Sequence, residues 1–279
     1  MSEARLAVPS FLYGTAWKED ETRRLTTLAL RTGFRGIDTA NQRKHYHEAA
    51  VGEGLANAIG EGLVTREDVY LQTKFTHRRG QDDRLPYDEK APITTQVTQS
   101  FERSLEHLQT TYIDSYVLHG PSTRKGFAAQ DLEAWKAMEA ITQSGRASVL
   151  GISNVTADQL KLLCETATIK PTFVQNRCYA AQRWDTATRA VCREHGVTYQ
   201  GFSLLTANKA IFQSAALKAI AAKHKRALTQ IVFRFALDVG MVALTGTKDA
   251  DHMAADLAVT DFKLDGDDIQ VIESIGVSR

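Results

Sequence analysis

"SVLGISNVTADQLKLLCETATIKPTFVQN", residues 148–176, contains a complete strand–helix–strand unit. Its first run, SVLGIS (148–153), is short, apolar and β-branched, as a strand buried on both faces should be. Thr156 and Gln159 then stand at capping-box spacing just before Leu160 and Leu163, which predicts a helix start. TFVQN (172–176) supplies the second strand.

The alternation continues in both directions. FLYGT (11–15), GIDT (36–39), VYLQTK (69–74) and SYVLH (115–119) precede the unit, and TYQGFS (198–203) and MVALTG (241–246) follow it. Helical patterns separate these runs. Ile93, Val97, Phe101, Leu105 and Leu108 form one stripe behind Pro92, and the patterns at 228–240 and 267–276 stop at glycines. Eight strands alternating with helices, with no linker between, predict an α/β chain folded as a single-domain (β/α)₈ TIM barrel over residues 1–279. A doubly wound sheet competes, but its phosphate-binding signature is missing. The nearest match, GEGLAN (52–57), lacks the third glycine and lies inside a helix pattern.

Composition excludes several function classes. Lys and Arg number 34 against 33 Asp and Glu, which gives no electrostatic reason to expect nucleic acid or an anionic membrane. No window approaches the ~20 apolar residues of a membrane span, and the first residues lack a secretory pattern. Cys164, Cys178 and Cys192 are an odd set without C-x-x-C spacing, which fits reduced thiols. The expectation is a cytoplasmic monomer or weak homo-oligomer acting on a small molecule.

Barrel chemistry gathers where strands end. Those positions carry Asp38, Lys74, His119, Ser153, Asn154, Gln175, Ser203, Gly246 and Thr247. A buried lysine must be paired, and Asp38 is the available carboxylate. A free tyrosine titrates near ~10, too high for a good proton donor at neutral pH, and a neighbouring ammonium favours the phenolate. Asp38, Tyr46, Lys74 and His119 therefore make a set for protonating an oxygen as hydride reaches carbon. The turn holding Tyr46 also offers His45 and His47. With His77 or His119 these could form a three-ligand metal site, although Lys74 would repel a cation. His77, His107, His195 and His224 otherwise read as solvated loop or helix residues, and the run 123–126, TRKG, as solvated surface.

The stretches GTAWK (14–18), GFRGIDTA (33–40), EAAVGEGL (48–55), REDVYLQTK (66–74), SFERSLEHLQTTYIDSYVLHGP (100–121), VLGISN (149–154), FVQN (173–176) and ALTGTKDADHMAADL (243–257) resemble, in this order and spacing, the aldo-keto reductase family. The resemblance implies NADP(H)-dependent reduction of aldehydes and ketones, with NAD(H) possible. It implies Tyr46 as general acid, Lys74 lowering its pKa, Asp38 paired to Lys74, and His119 orienting substrate. Asp38, Ser153, Asn154 and Gln175 would meet the nicotinamide, with Phe202 stacked on its ring. Gly14, Thr15, Ser203, Leu205, Gly246, Thr247, Lys248, His252 and Asp256 would form the nucleotide site. Some relatives act chiefly as cofactor-binding subunits, which leaves a sensor or regulatory reading beside the catalytic one. A metal-dependent barrel hydrolase is the remaining alternative.

The chain departs from the family pattern at five positions. Tyr46 lies two residues before Glu48, where many members have a spacing of three, and that slot here is His45. Phe202 replaces the more frequent tyrosine, and Gly246 and His252 replace the lysine and arginine that serve the 2′-phosphate. Gly120 follows His119 where many relatives have tryptophan. The long loop 75–92 and the short segment after Gly276 predict an open pocket, with Trp17, Tyr46, His119 and Tyr87 as substrate contacts.

Overall fold

A computed structural model of the chain describes residues 8–277. Residues 1–7, 278 and 279, on which the readings of the leader and the tail partly rest, lie outside the described residues. Eight parallel strands close in sequence order: β1 Phe11–Gly14, β2 Gly36–Asp38, β3 Tyr70–Phe75, β4 Ile113–Leu118, β5 Ala147–Ser153, β6 Phe173–Arg177, β7 Thr198–Phe202 and β8 Met241–Thr245. Tyr13 opposite Thr245 joins β1 to β8 and completes the TIM barrel. Each strand falls within two or three residues of its sequence reading.

Around the strands lie α1 Thr22–Thr32, α2 Glu48–Gly60, α3 Ile93–Leu108, α4 Ala129–Gln143, α5 Ala157–Thr166, α6 Thr186–His195, α7 Ala215–His224, α8 Leu228–Asp238, α9 Ala250–Leu257 and α10 Gly266–Ser274. The capping box at α5 forms on both sides: Gln159 N donates to Thr156 Oγ1 at 3.2 Å and Thr156 N to Gln159 Oε1 at 3.1 Å. The glycines of GEGLAN serve packing. A Cβ on Gly52 would sit 2.0 Å from the His107 carbonyl oxygen, and one on Gly54 2.6 Å from that of Arg23. Both glycines let α2 press against its neighbours.

The main apolar core lies between strands and helices. A second cluster, Leu12, Tyr70, Phe173, Val242 and Leu244, fills part of the barrel interior. Side chains two apart on a strand share a face, so stepping from Tyr70 to Gln72 to Lys74 climbs the inner wall from apolar filling to polar site. No described helix is long and apolar enough to cross a membrane. The three cysteines are free and buried.

Candidate active site

Loops beyond the strand ends enclose a cleft of about 1210 Å³. Lys74 is fully buried at its base, where Nζ donates to Asp38 Oδ1 and to the Thr39 carbonyl, each at 2.7 Å. Burial pulls the ammonium below its ordinary pKa, and Asp38 opposes that shift. Asp38 Oδ1 also accepts from Gln72 Nε2 at 2.7 Å and from Gln175 Nε2 at 2.9 Å. Gln200 completes the group: its Oε1 accepts from Gln72 at 2.8 Å and Gln175 at 3.0 Å, and its Nε2 donates back to Gln72 Oε1 at 3.0 Å. Four strands thus hold one carboxylate in place.

Tyr46 reaches this pair from the turn after β2. Asn41 N bonds the Lys74 carbonyl at 3.3 Å, and Asn41 Nδ2 bonds the Ser100 carbonyl at 2.9 Å. Gln42 Nε2 bonds the Gly80 carbonyl at 2.7 Å, while its own carbonyl accepts from His45 N and Tyr46 N. The added residues therefore form a turn anchored at its start, and Tyr46 follows directly. Lys74 Nζ lies 5.2 Å from the Tyr46 ring centroid. His45 also lines the cleft, its ring 4.1 Å from that of Trp17, and Trp17 is 64 % exposed at the rim.

The Tyr46 hydroxyl is shifted upward, first by burial and then by the Asp38 charge. This is opposite to the lowering expected from Lys74. The cause is geometric: the ammonium is bonded to Asp38, and desolvation penalises a phenolate more than the remaining attraction favours it. The resting phenol is consequently protonated.

His119, at the end of β4, has its pKa pushed down to about 3 by burial, with Lys74 and His45 adding to the shift. A neutral imidazole results. Its Nδ1 is 2.7 Å from Thr76 Oγ1, and its carbonyl accepts from Asn154 Nδ2 at 2.8 Å. When the Thr76 hydroxyl donates to Nδ1, Nε2 carries the proton and can donate into the cleft.

Ser153, Asn154, Gln175 and Phe202 line the cleft beside these groups. Ser153 Oγ donates to the Gln175 carbonyl at 2.6 Å, and Asn154 Nδ2 to Ser153 Oγ at 3.0 Å. Asn154 and Ser203 both take left-handed backbone, φ 57° in each, a strain that concentrates at functional sites. Arg177 lies over Phe202, its guanidinium carbon 5.5 Å from the ring centroid.

At the β7–β8 side the cleft is lined by Gly14, Ser203, Leu205, Gly246, Thr247, His252 and Asp256. Lys18 joins them. Its ammonium bonds the Gly246 carbonyl, and a Cβ on Gly246 would lie only 3.3 Å from it. Burial, then the charge of Lys248, brings Lys18 down to about 8. Asp256 is raised to about 6 by burial and accepts from Thr245 Oγ1 at 2.8 Å.

Three of the expected contacts are not among the residues that line the cleft. Thr15 is buried behind the wall, its hydroxyl donating to the Asp38 carbonyl at 2.9 Å. Lys248 is exposed and outside the lining. Tyr87 packs on Phe75 and donates to the Thr76 carbonyl at 2.8 Å, so it stiffens the loop from behind. The histidines read as solvated are also corrected. His77 is buried in the cleft wall 3.0 Å from Asp131, while His107 and His224 bond Glu48 and Asp268 at 2.9 and 2.7 Å. Among the described residues no three His, Cys, Asp or Glu side chains converge as a metal site.

Gln72, Gln200, Lys18 and Thr76 were not singled out in the sequence. Period-two alternation could have found the first two, since Gln72 lies two before Lys74 and Gln200 two before Phe202.

A profile described as the Aldo/keto reductase family matches residues 11–210. The chain is 28 % identical to aldo-keto reductase AKR2E4 of Bombyx mori over 266 residues, covering 91 % of this chain and 82 % of that protein. It is 26 % identical to the glyoxal reductase of Bacillus subtilis (strain 168), covering 88 % and 80 % respectively. The crystal structure of AKR2E4 in complex with NADP superimposes with a TM-score of 0.80 at 25 % identity, over 95 % of this chain and 88 % of that one.

Proposed function

Since the chain belongs to the aldo/keto reductase family, we propose that it is an NADP(H)-dependent reductase of aldehydes and ketones, with Tyr46 as the proton donor. The carrying observation is the Tyr46 ring set between the buried Lys74–Asp38 pair and a neutral His119 at the base of one cleft. The AKR2E4 structure contains NADP, and the glyoxal reductase is named for carbonyl reduction. Both support the reading.

The residues present suit a nicotinamide nucleotide. Gln175, Ser153 and Asn154 offer amide and hydroxyl groups on one wall, and Phe202 an aromatic face. Lys18, Thr247 and His252 provide cation and donor groups after β1 and β8, near the usual barrel phosphate position. When bound, the nicotinamide supplies the hydride. His119 Nε2 orients the carbonyl, and Tyr46 delivers its proton as negative charge grows on oxygen. Lys74, its Nζ 5.2 Å from the Tyr46 ring centroid, then stabilises the phenolate by charge attraction. Asp38 keeps Lys74 charged in a dry site.

The test is oxidation of NADPH, with NADH in parallel, in the presence of a generic aldehyde. Turnover supports the reading. Nucleotide binding without turnover would replace it with a cofactor-binding, regulatory role.

A further inference from the structure

The cleft carries cationic groups that neither Tyr46 chemistry nor nucleotide binding uses. Arg79 lies in the short turn Arg78–Gly80 after β3, and Arg124 in the loop between β4 and α4; both line the cleft. Among the described residues neither has an acidic partner, and neither makes a side-chain hydrogen bond. Their neighbours behave differently. Arg78 bonds Glu89 at 2.7 Å and lies 3.3 Å from Asp83, Arg84 pairs with Asp82, and Arg43 reaches Glu19 at 3.1 Å. The local carboxylates are thus engaged by other groups, and Arg79 and Arg124, exposed at the mouth of the cleft, are left uncompensated.

The described cleft lining contains only two acidic side chains, Asp38 and Asp256. Asp38 is neutralised by Lys74, and Asp256 is far across the barrel beyond β8. In a closed barrel ordered β1 to β8, β3 and β4 stand opposite β7 and β8. Arg79 and Arg124 therefore do not belong to the rim where Lys18, Thr247 and His252 gather. They stand instead on the side of His119, which directly follows β4. Thr76, His77 and Ser122 line the same wall; Thr76 is engaged with His119, and His77 and Ser122 hold the buried carboxylate of Asp131 behind it.

We propose that the substrate is an anionic carbonyl compound: an aldehyde or ketone bearing a carboxylate or phosphate at its far end, which Arg79 and Arg124 bind at the mouth of the cleft. This rests on the reductase reading and specifies its substrate class. Guanidinium groups suit the task because their paired N–H donors match the oxygens of either anion. The reaction is unchanged: hydride adds to the carbonyl carbon, the proton goes to its oxygen, and the anionic group takes no part in bond making. Its contribution appears in KM, because the contact is the same in ground state and transition state.

The test compares 4-formylbenzoate with methyl 4-formylbenzoate, two aldehydes differing by one charge, using NADPH and the full chain. The carboxylate is expected to have a kcat/KM about tenfold higher, carried by KM and shrinking as salt is raised. In the double variant R79Q/R124Q the ratio should collapse toward one. The ratio cancels any loss common to both aldehydes. 4-Formylphenyl phosphate, assayed alongside, distinguishes a phosphate site from a carboxylate site. A wild-type ratio near one for both anions, or a preference that survives in the double variant, overturns the proposal. If neither benzoate is reduced, the reductase reading fails separately. Calorimetric titration of the same two compounds into protein with NADP then still reads the arginines, with equal affinities overturning the proposal.

Discussion

The ring of Tyr46 stands edge-on to the imidazole of His119, their centroids 5.9 Å apart and their planes at 69°. One group is a protonated phenol and the other an uncharged imidazole, so two hydrogen-bond donors can converge on one oxygen.

Replacing Tyr46 with Phe removes one of them and leaves the ring. Turnover should fall by about 10²–10⁴-fold, the usual contribution of a positioned general acid. Nucleotide affinity, followed by protein fluorescence, should change little. A Y46F variant with normal rates, beside an inactive H45A variant, would transfer the role to His45.

His119 carries a signature in pH. Its pKa falls from an ordinary 6.5 to about 3 in the folded chain, so the unfolded chain binds more protons between these values. Its contribution to stability is present above about 6.5 and is lost as pH falls toward 3. Urea midpoints measured across this interval should drop for the wild type and drop less for His119→Gln. The wild-type rate profile should show no His119 inflection between pH 6 and 8.

The Lys74–Asp38 pair is closed to solvent. Lys74→Met alone strands a buried carboxylate and should cost about 3–5 kcal/mol of stability. Adding Asp38→Leu should recover much of that loss without restoring activity. Denaturation midpoints and the NADPH assay together check both halves.

Gln200 hydrogen-bonds neither Tyr46 nor Lys74, yet it accepts from both glutamines that hold Asp38. Gln200→Leu should destabilise the chain by about 1–3 kcal/mol, the cost of unsatisfied buried amides. It should also lower kcat more than it changes KM. An effect on stability alone would limit Gln200 to packing.

The carboxyl of Asp256, on the proposed nucleotide rim, is raised by burial from 3.8 to about 6. As pH rises through about 6 the carboxyl acquires charge, and NADPH affinity should weaken. Its stability contribution runs the same way, fully present below 3.8 and lost through 6. Asp256→Asn should flatten the affinity profile measured from pH 5 to 7.5.

The barrel was legible because strand and helix periods alternate without interruption, and Asp38, Lys74 and His119 because each closes a strand. The inner wall beneath them was less so. Gln72 and Gln200 sit within apolar runs, where a two-residue step inward reveals them only once the inward face is known. Loop chemistry was hardest to read. Tyr87 and Arg124 look alike as loop residues, but one folds behind Phe75 and the other faces the cleft. The direction of the Tyr46 shift depended on distances and burial that no spacing encodes.

Three of the four side chains that meet around Asp38 are amides, which neither gain nor lose protons in water's working range. Among these four side chains Lys74 alone offers alkali a handle. Under the proposed function, carbonyl reduction near neutrality and its reversal in alkaline solution would rest on these same unionisable amides.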